Sequence, residues 1–274
     1  CSYQRAIDWL LWCAMGFDVT ITDETEDLAA LAVQGPTSCT SLTEMGLTDL
    51  NTLKPFGMRT YDFEGEKLMV SRTGFTGDLG YEVWVSPEKA ETLWDQLFDA
   101  GKEYLIKPFG SYALDIARIE TGFIQAGVDF VPAEEMVRPG RARSPFELGL
   151  SWLVDLEKPL FNGRTALLKE KANGSRCRFA ILNVDGNKPA EHSFIMKGDR
   201  QIGTVTSAAW CPTAKSNIAF AQLEMPEGAI GSEYVAEIYY QRELHWTRLL
   251  APCKVIDGPI FNPKRRRKTP AIPH

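Results

Sequence analysis

From about residue 175 onward the chain reads as strands and turns, and this limits its fold more than any other feature. Residues 178–182, 202–206, 218–223 and 234–240 are short runs rich in β-branched, aromatic and aliphatic side chains. Turn signals separate them, among them Asp185-Gly186 and Lys197-Gly198-Asp199. Such a series builds a small antiparallel barrel or sandwich. It predicts a C-terminal all-β domain over residues 175–256, followed by a basic, proline-containing tail over 257–274.

The first 170 residues are patterned differently. Residues 2–15 predict an amphipathic helix with Ala6, Trp9, Leu10 and Cys13 on one face, closed by Gly16. Residues 19–22 alternate like a strand, and the apolar run 28–33 predicts a buried one. Gln34-Gly35-Pro36 then breaks the pattern, with Pro36 placed to open a short helix. Strands over 67–72 and 81–85 flank a loop, Thr73-Gly74-Phe75-Thr76-Gly77-Asp78-Leu79-Gly80. Its glycines allow positive φ and close approach of the backbone to a ligand. Ser86 as cap and Pro87 at the first position start the clearest helix. Its buried stripe is Ala90, Leu93, Trp94, Leu97 and Phe98, and Gly101 ends it. A further helix is expected over 112–121, and an exposed loop over 131–145, enlarged between Glu134 and Arg143. The fold class is therefore α+β.

Composition narrows the function. A chain of 274 residues exceeds what one core organises, so two lobes are expected. The net charge of −6 opposes a nucleic-acid partner, which requires a positive field. No apolar run is long enough for a transmembrane helix, and no membrane partner is expected. The six cysteines form no C-x-x-C, and the three histidines, His192, His245 and His274, have no partner at metal-ligand spacing. No metal is expected. Scattered thiols without a signal peptide suggest a reducing interior, the bacterial cytoplasm or alternatively the mitochondrial matrix. G-x-S-x-G, P-loop and G-x-G-x-x-G motifs are absent. The run Lys264-Arg265-Arg266-Arg267-Lys268 reads as a solvated, disordered tail, with a docking or targeting element as the alternative. The chain opens within a helix and without Met, so a preceding segment is expected. Nothing in the sequence indicates an oligomeric state.

Two residues stand out chemically. In the strand 81–85, Tyr81, Val83 and Val85 share one face, while Glu82 and Trp84 share the other. A carboxylate beside an aromatic plane and a glycine-rich loop suits a flat heterocycle, because it accepts two parallel N–H bonds. A solvated strand glutamate is the simpler reading from spacing alone. Arg118 lies among apolar residues three positions after Asp115, where its guanidinium can fork onto a carboxylate ligand. A structural Asp–Arg pair is again the simpler reading.

Taken in order, the segments resemble one known family. Residues 31–36 resemble its strand ending in V-Q-G-P. Residues 70–83 resemble its R-x-G-Y-T-G-E-x-G-[VY]-E-[IV] hairpin, with Phe75 and Asp78 in place of Tyr and Glu. Residues 115–122 resemble D-S-L-R-L-E-A-G, 146–152 resemble E-x-G-L-x-W, and Thr206-Ser207 with Pro212 and Ile218-Ala219 resemble T-S-x-x-x-S-P…I-A. The family is that of the glycine cleavage T proteins (aminomethyltransferases) and the related folate-dependent demethylases. The resemblance implies folate-binding α/β lobes over 1–170, then the C-terminal antiparallel β-barrel. It implies tetrahydrofolate as cofactor, with the pterin on Glu82, Arg118 lining the same site, Trp152 as a nearby aromatic, and Tyr81 and Arg72 as further contacts. The implied reaction is one-carbon transfer from an aminomethyl group or a small methylated metabolite. The family's catalytic Asp would lie before Cys1, so no catalytic residue is assigned within the chain. Besides an inactive fragment or scaffold, two alternatives accompany this reading. One is the folate module of a larger methylamine dehydrogenase. The other is a non-catalytic folate-binding accessory protein of iron–sulfur or tRNA metabolism, whose K-G-C-Y-x-G-Q-E motif is absent.

Overall fold

The computed structural model describes residues 3–138 and 141–271, without the side chain of Glu134. Cys1, Ser2, His274 and positions 139–140 of the enlarged loop lie outside the described residues. The chain divides into two compact units, residues 10–121 with 261–274, and residues 1–9 with 122–260.

The chain opens with α1 (Tyr3–Ala14), as its periodicity predicts, but none of its described residues is buried. The stripe expected to face a core is presented to solvent, with Trp9 62% and Leu10 51% exposed. Residues 19–22 form no strand, and among the described residues no strand pairing includes them.

The first unit contains β1 (Ala29–Gln34), α2 (Ser38–Glu44), β2 (Met58–Phe63), β3 (Glu66–Ser71), β4 (Gly80–Val85), α3 (Ala90–Gly101) and α4 (Ser111–Glu120). Its described strands form one antiparallel sheet in the order β1-β4-β3-β2. Glu82 sits opposite Ala32 on one side and Ser71 on the other. Period-two alternation in β4 holds as expected: Tyr81, Val83 and Val85 are buried, while Glu82 and Trp84 are half-buried on the opposite face. Leu42 of α2 and Leu93 and Leu97 of α3 join that buried face, with Val33, Leu68 and Val70. β1 is an edge strand in which only Val33 is buried, which corrects the expectation of a fully buried run. β2 escaped the sequence reading because polar Arg59, Thr60 and Asp62 dilute its apolar alternation. A single 3₁₀ turn, Pro87–Lys89, precedes α3, and the Ser86 hydroxyl donates to Glu66 instead of capping the helix.

The second unit contains α5 (Arg164–Asn173), which the sequence reading did not anticipate. It then forms a closed barrel of β5 (Cys177–Val184), β6 (Phe194–Lys197), β7 (Arg200–Cys211), β8 (Ser216–Glu224), β9 (Glu233–Arg242) and β10 (His245–Ile256). The order β10-β5-β8-β7-β6-β9 closes through the β9–β10 pair, and every pairing is antiparallel. Closure leaves no unpaired sheet edge. Leu182, Ile195, Ile202, Leu223, Ala236 and Val255 are among its core residues. The register of β7 against β8 shifts between Val205 and Ser207, which marks a bulge at Thr206. A bulge lets two consecutive side chains leave the strand on one side. The hydroxyls of Thr206 and Ser207 accordingly both donate to Asp129 Oδ1, each at 2.6 Å, while the Gln125 N–H donates to Oδ2 at 2.8 Å.

The basic run is not a solvated tail. Lys264–Arg266 form a 3₁₀ turn, Arg265 and Arg266 are half-buried, and Ala271 is enclosed in the core of the first unit. Main-chain bonds from Phe261 N to Glu120 O (3.0 Å) and from Ala271 N to Asn51 O (2.8 Å) fasten the segment at both ends.

Candidate functional site

The loop 73–80 is built around a side chain that the sequence reading passed over. Gln34, the last residue of β1, extends beneath it. Its Nε2 donates to Thr73 O (3.3 Å) and Tyr81 O (3.2 Å), and its Oε1 accepts from Thr76 Oγ1 (3.2 Å). This explains two of the three glycines. A Cβ on Gly74 or Gly80 would lie 1.9 or 2.0 Å from Gln34 Oε1. The third, Gly77, has φ +78° and lies against Thr121, whose Oγ1 would be 2.0 Å from an added Cβ. The glycines therefore let the loop fold onto its own support. The available signal was a long polar residue ending an apolar strand, in register with the loop.

Glu82 stands at the exit of this loop. Thr73 Oγ1 donates to its Oε2, and Ser71 Oγ lies 3.4 Å from the same oxygen. The Ser71 and Thr73 hydroxyls are themselves 2.7 Å apart. Among the described residues no hydrogen bond reaches Oε1. The carboxylate is thus held by one oxygen and presents the other.

The other expected contacts have different surroundings. Tyr81 is fully buried in the core, and burial, then the neighbouring Cys39 thiol, hold its phenol above the ordinary range. The side chain is enclosed on this face of β4, and its expected contact with the folate is a proposal. Arg72 is also buried, and its Nη groups are committed to other partners. Nη1 donates to Leu53 O (2.7 Å) and Thr269 Oγ1 (3.0 Å), and Nη2 to Lys268 O (2.8 Å) and Arg266 O (3.2 Å). These bonds tie it to Leu53 and to the C-terminal segment. Arg118 is 1% exposed, with Nε 2.8 Å from Asp115 Oδ1, so the structural pair is formed. Trp152 lies in the second unit on the 3₁₀ turn Ser151–Leu153 and is 75% exposed.

A cleft of about 530 Å³ in the first unit is lined by β1, α3 and residues 104–114, including Gln34, Ser38, Trp94, Phe98 and Phe109. Neither Glu82 nor Arg118 lines it. Among the described residues no group of three His, Cys, Asp or Glu is arranged to hold a metal, and no helix is long and apolar enough to cross a membrane.

Comparison with known proteins bears on this site. A family model described as the GCVT N-terminal domain matches residues 1–158, and one described as the glycine cleavage T-protein C-terminal barrel domain matches residues 177–261. The chain is 34% identical over 234 residues to an aminomethyltransferase of Caldanaerobacter subterraneus subsp. tengcongensis, covering 85% of this chain and 60% of that protein. It is 30% identical over 223 residues to an aminomethyltransferase of Pseudothermotoga lettingae, covering 81% and 59%. The crystal structure of glycine cleavage system aminomethyltransferase T from Bartonella henselae superposes with a TM-score of 0.77 at 23% identity, covering 95% of this chain and 66% of that one. At that identity the likeness is one of fold. The chain spans about three fifths of the length of these curated relatives.

Proposed function

The chain belongs to the glycine cleavage T-protein family, and on that footing we propose that it carries the pterin-binding part of a tetrahydrofolate-dependent one-carbon transferase. The observation that carries this reading is the state of Glu82. Two hydroxyls fix one carboxylate oxygen, and the other is available to the N–H donors of a flat heterocycle. Trp84, two residues on, shares its strand face and supplies an aromatic plane. The names of the relatives support an aminomethyl group as donor, and a small methylated metabolite is the finer alternative.

In this reading Glu82 binds and orients the pterin, while Ser71 and Thr73 set the direction of its carboxylate. Arg118, anchored by Asp115, is kept as a second residue of the folate site. Bound tetrahydrofolate supplies the nitrogen that receives the one-carbon unit. The contribution of these residues is proximity and a fixed electrostatic environment.

Calorimetric titration with tetrahydrofolate, on the protein and on Glu82→Ala, tests the reading. Loss of a carboxylate paired with ring donors costs about 1–3 kcal/mol, roughly 5- to 150-fold in affinity. Saturable binding that weakens by this amount supports the assignment. A folded protein that binds no folate overturns it.

A further inference from the structure

The glycine-rich loop is gripped from a second side, by the basic segment at the C-terminal end of the described chain. Arg265 meets Asp78, inside the loop, in a two-pronged pair: Nε to Oδ1 and Nη2 to Oδ2, both 2.6 Å. Asp78 is mostly shielded, with a side chain 11% exposed, and its Oδ1 also accepts from Leu79 N at 2.6 Å. Arg72, immediately before the loop, holds the main-chain carbonyls of Arg266 and Lys268 and the hydroxyl of Thr269. The segment is fastened beyond these points at Phe261 and Ala271. It therefore touches the loop at its base and near its far end.

We infer that residues 261–271 are a strap that fixes the glycine-rich loop, and that Arg265 and Asp78 are positioning residues for ligand binding at Glu82. The functional half of this inference rests on the folate reading of Glu82. The physical reason lies in the loop itself. Three glycines in eight residues make it flexible, and a flexible loop must be ordered when a ligand binds. A planar guanidinium on a carboxylate fixes distance and orientation together, which a lysine point charge does not. Asp78 precedes Leu79, whose carbonyl accepts from Gly35 N (2.8 Å) and Ser38 Oγ (3.3 Å) beside the Gln34 support. The clamp thus acts on the part of the loop that leads directly into β4 and Glu82.

Amide hydrogen exchange, read by mass spectrometry on the ligand-free protein, tests the strap. Calorimetry with tetrahydrofolate tests its consequence. The variants are Arg265→Ala, Arg265→Lys, Asp78→Ala and the double Asp78→Ala/Arg265→Ala. In Arg265→Ala, exchange across residues 74–80 rises about tenfold while barrel amides are unchanged, and folate affinity falls about fivefold to tenfold. Lysine does not restore either readout, and the double variant is no worse than the poorer single one. Unchanged loop exchange in a folded Arg265→Ala overturns the strap. Faster exchange with unchanged folate affinity overturns the positioning role. If the unaltered protein binds no folate, the folate reading and the positioning role fall together, and exchange still decides the strap.

Discussion

Thr73 and Glu82 close the glycine-rich loop across its two ends: the Thr73 hydroxyl donates to Glu82 Oε2. A side chain that begins the loop thereby sets the direction of a carboxylate that follows it. Thr73→Val removes this donor and leaves Ser71 as the remaining hydroxyl on Oε2. Tetrahydrofolate affinity is expected to fall about 2- to 12-fold, the worth of one hydrogen bond of about 0.5–1.5 kcal/mol. Thr73→Ser keeps the hydroxyl and should bind like the original protein. Calorimetry on the two variants checks the pair, and equal binding by both would show that the Thr73 hydroxyl has no part in holding Glu82.

Gly80→Ala is expected to destabilise the first unit by about 1–3 kcal/mol, the usual cost of forcing an extra methyl into filled space. The added Cβ would stand 2.0 Å from Gln34 Oε1, so the amide must move and release its bonds to Thr73, Tyr81 and Thr76. Shortening the support should offset the clash. The double variant Gln34→Ala/Gly80→Ala is expected to be less destabilised than the sum of the two single changes. Urea unfolding of the three variants supplies this cycle, and simple additivity would contradict the packing described.

The hairpin around Glu82 was legible because period-two alternation in 81–85 and a cluster of glycines are local signals. The barrel was legible because turn residues separate its strands, although β6 and β10 escaped. β6 has only four residues, and β10 opens with exposed His245 and Trp246 and half-buried Thr247, which dilute its apolar alternation. The grip on the loop was not legible. Gln34, Asp78 and Arg265 are far apart in sequence, and each alone looks like an ordinary surface residue. Charge density made the basic run read as solvated, yet Arg265 meets a carboxylate and Arg72 takes up nearby carbonyls. The apolar stripe of α1 misled in the opposite sense, since periodicity specifies a face without specifying what covers it.

Asp129 ties residues 125–129 to the bulge of β7, and its two oxygens have different tasks. Oδ1 accepts from both Thr206 and Ser207, while Oδ2 accepts from the Gln125 N–H. Asp129→Ala removes both acceptors from an enclosed place, and the second unit is expected to lose about 1–3 kcal/mol. Asp129→Asn should cost less. It keeps the oxygen that serves the two hydroxyls but turns an NH₂ toward the Gln125 N–H. Denaturant unfolding that ranks the asparagine variant between the original and the alanine variant supports this division. The reverse order would contradict it.

Cys253 gives the second unit a pH dependence whose sign is fixed. The thiol is buried in β10, opposite Tyr234 on one side and Val184 on the other. Burial, then the negative charge of Asp185, pushes it from 9.0 up to about 12. The fold therefore retains a proton that the unfolded chain releases at lower pH, so the free energy of unfolding falls as the solution becomes alkaline. The stability is fully present below pH 9 and is lost as the pH rises toward 12. The slope from this group approaches about 1.4 kcal/mol per pH unit inside that window. Cys253→Ala should flatten it, and denaturant unfolding of both proteins between neutral and alkaline pH measures the difference. Parallel pH profiles would remove Cys253 as the source. Alkylation offers an independent check: at neutral pH a maleimide should label the exposed Cys13 readily and Cys253 only after unfolding.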